Sequence, residues 1–71
     1  MMPLTLASTG EDHIIQRVGG SPDVKKHLED MGFVAGGPVT VVAHNGGNVI
    51  VTIKEVRVAI SREMAQRIMI L

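Results

Sequence analysis

A chain of 71 residues without cysteine has room for one small domain, and its core or a partner must supply the stability that disulfides and thiolate metal sites would otherwise give. Seven basic residues balance seven acidic ones and the pI is near 6.8, which excludes the electrostatic footprint of a general nucleic-acid binder or of a protein held on acidic lipid. Phe33 is the single aromatic residue in a composition that is 45% hydrophobic, so the core must be aliphatic, and neither base-stacking platforms nor an aromatic groove for proline-rich peptides can be built.

From the N-terminus, Met1 to Ala7 lacks the basic residues and the long apolar run of a secretory signal, and the expected location is the cytoplasm. His13 to Val18 reads as a strand closed by Gly19 and Gly20. Ser21, Pro22 and Asp23 then have the chemistry of a helix start: a hydroxyl cap, a proline where the missing donor costs nothing, and an acid at the positive end of the dipole. Val24, Leu28 and Met31 repeat at helical spacing. Gly32 is placed to end the helix in the left-handed conformation, with Phe33 folding back onto Leu28.

Met31 to Ile53 carries no formal charge and, at 23 residues, is long enough to cross a bilayer as a helix. Its composition forbids that, because Gly36, Gly37 and Pro38 break it early and His44-Asn45-Gly46-Gly47-Asn48 places turn residues in its middle. The flanking β-branched runs read instead as a hairpin, Val39 to Ala43 and Val49 to Ile53. A third strand, Val56 to Ile60, follows after only Lys54 and Glu55, with Val56, Val58 and Ile60 on one face. Ser61 can cap a short helix over Arg62 to Arg67, and Ile68 to Leu71 reads as a closing strand. Five short strands in so small a chain predict a mainly β fold: a partly open barrel with one α-helix between its first two strands and a short helix before the last.

The candidates for chemistry are sparse. His13, His27 and His44 are the only imidazoles, and their spacing matches no metal motif; they are the candidates for weak binding of Fe(II) or another divalent metal, with ordinary exposed histidines as the commoner explanation. The glycines at 36, 37, 46 and 47 join strand to strand, whereas a phosphate-binding loop joins a strand to a helix, so they are turn residues. Of the serines, Ser21 and Ser61 are placed as caps, Ser8 has no evident base, and the acids have surface-like neighbours; a catalytic site and a resident cofactor are not expected. What remains is an apparent surplus of apolar residues. Val42 and Ile50 fall on the opposite parity from Val39, Val41, Ala43, Val49, Val51 and Ile53, and Met69 and Leu71 oppose Ile68 and Ile70, so part of this set should form an exposed patch for association.

The residues so placed resemble the FeoA family, ferrous iron transport protein A. The likeness rests on Leu4-Thr5-Leu6-Ala7 with Gly10, on the block His27-Leu28-Glu29-Asp30-Met31-Gly32-Phe33-Val34-Ala35-Gly36, on Val39-Thr40-Val41, on Val58-Ala59-Ile60, and on Met64-Ala65-Gln66-Arg67-Ile68-Met69-Ile70. Two positions depart from the family pattern: Ala35 stands where proline is usual before the turn glycine, which loosens that turn by about half a kcal/mol, and His27 stands where arginine often precedes the leucine. The resemblance implies an SH3-like barrel over residues 1–71 that docks on the cytosolic part of the membrane iron transporter FeoB, with Leu28, Gly32, Phe33, Gly36, Val41 and Gly46 as structural positions. Val42, Ile50, Met69 and Leu71 are then the candidate partner surface, Arg57, Arg62 and Arg67 its candidate rim, and homodimerisation through the same patch a further expectation. The alternative is a metal-responsive regulatory domain like the one at the C-terminus of iron-dependent transcription regulators of the diphtheria toxin repressor type; an RNA-binding barrel is a third class, which the neutral charge disfavours.

Overall fold

A computed structural model describes all residues 1–71. The elements are strand β1 (Met2–Pro3), a 3-10 helix (Leu4–Leu6), β2 (Asp12–Val18), helix α1 (Pro22–Asp30), β3 (Pro38–Asn45), β4 (Asn48–Ile53), β5 (Val56–Ser61), helix α2 (Arg62–Ala65) and β6 (Ile68–Ile70). They form a six-stranded antiparallel sheet in the order β1-β6-β2-β3-β4-β5. The expected mainly β architecture holds, with one strand added, because β1 is only a dipeptide and has no alternation to read. No helix is long and apolar enough to cross a membrane.

Closure into a partly open barrel depends on β2, which belongs to both halves of the sheet. Asp12, His13 and Ile14 pair with β3, whereas Ile15, Arg17 and Val18 pair with β6 across an irregularity between Ile15 and Arg17. Such a break in register bends a strand and increases its twist, which lets one strand serve two sheet halves. A second shift between Val41 and Ala43 curls β3 against β4. Inside lie fifteen buried apolar residues, all aliphatic except Phe33. Leu4, in the 3-10 helix, is among the fully buried side chains, so the N-terminal segment contributes to the core although its sequence shows no periodicity.

Both helix caps form as their sequences predict. The Ser21 hydroxyl accepts a hydrogen bond from the Val24 N–H at 3.3 Å, and the Ser61 hydroxyl accepts one from the Met64 N–H at 3.1 Å. Helix α1 closes with the Gly32 N–H bonded to the Glu29 carbonyl and the Phe33 N–H to the Leu28 carbonyl, both at 3.0 Å, while Gly32 takes φ +111°. This is the double bond of a Schellman cap, and it brings Phe33 and Leu28 into the same buried cluster. Helix α2 stops at Ala65, short of the expected Arg67, because the Arg67 N–H bonds to the Met64 carbonyl and its own carbonyl receives the Gly19 N–H.

The turn between β4 and β5 carries backbone strain. Lys54 and Glu55 have φ of 49° and 66°, the pair of left-handed residues that a two-residue primed hairpin turn requires and that asparagine and glycine supply most easily. Glu55→Gly should therefore stabilise the fold by about 1 kcal/mol, since the left-handed region costs an L-residue roughly that much. A thermal melt followed by circular dichroism should show the midpoint about 4–8 °C higher. An unchanged midpoint would mean that the turn is already relaxed.

Candidate interaction surface

Strand parity sorts the apolar residues into those inside and those left over. Ile68 and Ile70 are fully buried, so the alternation of β6 turns Met69 and Leu71 to the outer face. Ile15 is likewise buried, which turns Ile14 outward, and the packing of Met2 against the core turns Pro3 and Met1 the same way. Strand pairing makes these residues neighbours: Pro3 lies opposite Met69, the Leu71 N–H donates to the Ile14 carbonyl at 3.0 Å, and Ile14 lies opposite Pro38. The outcome is an apolar patch across β1, β6 and β2, in which Met1 is 69%, Leu71 66% and Ile14 42% exposed. Arg17, exposed and paired with Met69, borders it.

The other candidates lie elsewhere. Val42 and Ile50 are half-buried; Ile50 lies on the outer face of β4, paired with Ala59 and with Ala43, which the register shift at the unpaired Val42 moves off the face of Val41, and the neighbouring outward position of β5 is Arg57. Arg62 opens α2 and Arg67 follows it, both exposed. The seven candidates therefore do not share one surface. Ile14, Met1, Pro3 and Pro38 were not among them, although one signal was present: consecutive isoleucines at 14 and 15 cannot both point into the barrel from one strand.

The three imidazoles are also kept apart. His27 is exposed on α1, and His44 is exposed near the end of β3, its Nε2 3.5 Å from the Ala7 carbonyl. His13 is half-buried on the inner parity of β2, and its Nε2 is buried without a hydrogen-bond partner. No group of three or more histidine, aspartate or glutamate side chains converges as a metal site would require. Ion pairing is confined to Lys26 and Asp30 on the exposed side of α1, at 3.2 Å.

Four similarities bear on this geometry. The FeoA domain profile matches residues 2–71. An Fe(2+) transport protein A of Methanocaldococcus jannaschii is 31% identical over 70 residues, which span 99% of this chain and 85% of that protein. Among solved structures, an iron uptake regulatory protein (FeoA) superposes with a TM-score of 0.88 at 26% identity, covering 97% of this chain and 93% of that one. A manganese-dependent transcriptional repressor gives 0.89 at 19% identity, covering 99% of this chain but 40% of the repressor, and so shares the fold alone.

Proposed function

The chain belongs to the FeoA domain family, non-catalytic proteins of the ferrous iron transport system, and from that premise we propose that it is a cytoplasmic module that docks on the cytosolic region of the transporter FeoB and tunes iron uptake. The observation that carries the reading is the apolar patch around Leu71. Exposed contiguous apolar residues are the usual mark of a protein partner. Leu71 supplies the exposed centre, Met69 and Ile14 flank it, and Arg17 contributes a charged rim of the kind such interfaces place around an apolar middle.

The test is calorimetric titration of the protein with the soluble cytosolic domain of its FeoB. Leu71→Glu should weaken binding at least about tenfold, because it places a charge in the desolvated centre of the interface. The midpoint of thermal unfolding should hardly move, since the side chain is exposed and its ladder bond uses the backbone N–H. Arg57→Glu, on the other face, should bind as the wild type does. Loss of binding with Arg57→Glu but not with Leu71→Glu would move the interface to the surface of Val42 and Ile50. Heat from Fe2+ alone at fixed stoichiometry, with no binding to the transporter domain, would favour the metal-responsive regulatory domain and return His13, His27 and His44 to consideration.

A further inference from the structure

The sheet ends on β5, which pairs with β4 and with no second strand. Ile53 and Val56 close the two-residue turn, which makes them a hydrogen-bonded pair. The alternation of an antiparallel ladder then directs the N–H and C=O of Val56, Val58 and Ile60 toward β4 and those of Arg57 and Ala59 outward. No turn, loop or cap hydrogen bond uses Arg57 or Ala59. The usual protections of an edge are absent: β5 contains no proline, its register with β4 runs without a bulge from Val56 to Ser61, and Arg57 is its one charge. At the other end of the sheet β1 is protected, being two residues long with a proline as one of them.

We propose that β5 is a homodimerisation edge, pairing antiparallel with β5 of a second copy about a two-fold axis at Val58. The choice of occupant follows from self-complementarity. Two-fold pairing of a strand with itself requires that opposed residues lie on the same face and that the hydrogen-bonded positions be ones whose backbone groups point outward. An axis at Val58 meets both conditions, because Arg57 lies opposite Ala59 of the second copy, two outward-directed residues that exchange two hydrogen bonds, and the symmetric pair repeats them. On the inner face Val58 meets its own counterpart and Val56 meets Ile60 of the second copy, the β-branched cross-strand contacts that stabilise sheets. Val56 is 58% exposed in the single chain and is covered in the pair.

The neighbouring registers are worse. An axis at Arg57 sets two guanidinium groups directly opposite each other. An axis at Ala59 leaves Val56 opposite Arg62, beyond the end of the paired strands and still exposed. A contact along one short strand buries less than a standard interface of about 1,600 Å², so the association is weak, with a Kd on the order of 0.1 mM.

Sedimentation velocity on the whole chain, from about 10 μM to about 1 mM to bracket that Kd, reads the proposal directly. The wild type should move from monomer toward dimer across this range. Ala59→Glu should tighten the dimer about threefold or more, because each new carboxylate lies opposite Arg57 of the other copy, and Ala59→Arg should weaken it by a similar factor. Ala59→Pro removes only an outward N–H, which edge strands tolerate, and should give a folded monomer with the wild-type circular dichroism spectrum. If that variant fails to fold, the glutamate and arginine pair decides. A wild type that stays monomeric at about 1 mM, a dimer that survives in folded Ala59→Pro, or a dimer loosened by Ala59→Glu would each overturn the proposal, the last because an axis at Ala59 places glutamate against glutamate.

Discussion

Phe33→Ala should remove about 3–5 kcal/mol, a large share of the stability of so small a domain. Phe33 is fully buried, the largest of the buried side chains, and the only ring in a core otherwise built from valine, isoleucine, leucine and alanine. Removing a buried phenylalanine ring costs about 3–5 kcal/mol through lost transfer free energy and the cavity left behind. A chain of this length has a total stability of only about 4–10 kcal/mol at 0.05–0.15 kcal/mol per residue. No cysteine is present to limit the entropy of the unfolded state, so nothing offsets the loss. The cavity would also open beneath the cap of α1, where the Phe33 N–H holds the Leu28 carbonyl, so the last turn of the helix should fray with it. Urea denaturation followed by circular dichroism should show a far lower midpoint for Phe33→Ala, whereas Phe33→Leu, which keeps most of the volume, should lose much less. A loss below about 1 kcal/mol for the alanine variant would mean that the site collapses around the gap.

Local chemistry explains why so much of this fold could be read ahead of the structure. Ser21-Pro22-Asp23, Gly32-Phe33 and Ser61 each determine a chain direction through bonds made within a few residues, and each forms as expected. The hairpin of β3 and β4 followed from β-branched runs around a glycine turn, and its pairs from Thr40–Thr52 to Asn45–Asn48 span those runs. The parts that could not be read are set by distant contacts. Strand β1 exists because β6 returns beside it, and Leu4 is buried because the barrel offers it a place; neither fact is encoded in the residues adjacent to them.

The same division runs through the interaction surface. Parity within one strand identified Met69 and Leu71 as outward, but joining them to Ile14, Pro3 and Pro38 required the pairings of β6 with β1 and of β2 with β3. Val42 and Ile50 follow from the same parity rule, but Ile50 lies on a different, half-covered face, and the register shift that leaves Val42 unpaired sets Ala43 rather than Val42 on that face. Parity assigns a side of one strand. Topology decides which sides meet.

Gly32→Val should be the most damaging change outside the hydrophobic core, at about 3 kcal/mol, and a graded series of glycine variants isolates the reason. Gly32, Gly36 and Gly46 all have positive φ, at +111°, +87° and +60°. A Cβ at Gly36 or Gly46 would meet nothing within 4 Å, so substitution there tests the backbone alone. Gly46→Asn should cost only a few tenths of a kcal/mol, because asparagine tolerates the left-handed region in which Gly46 lies. Gly36→Ala should cost about 1–2 kcal/mol from its φ. At Gly32 the φ lies beyond the left-handed well, and a Cβ would stand 3.5 Å from Ile53 Cγ1 and 3.6 Å from Lys54 Cδ, ordinary contacts that a branched side chain turns into crowding. Relaxing either conflict means giving up the paired bonds from Gly32 and Phe33 that close α1, and with them the position of Phe33 in the core. Denaturant midpoints should therefore fall in the order Gly46→Asn, Gly36→Ala, Gly32→Val. If Gly32→Val cost no more than Gly36→Ala, the cap would be strained by φ alone, and the packing of the β4–β5 turn over the end of α1 would contribute nothing.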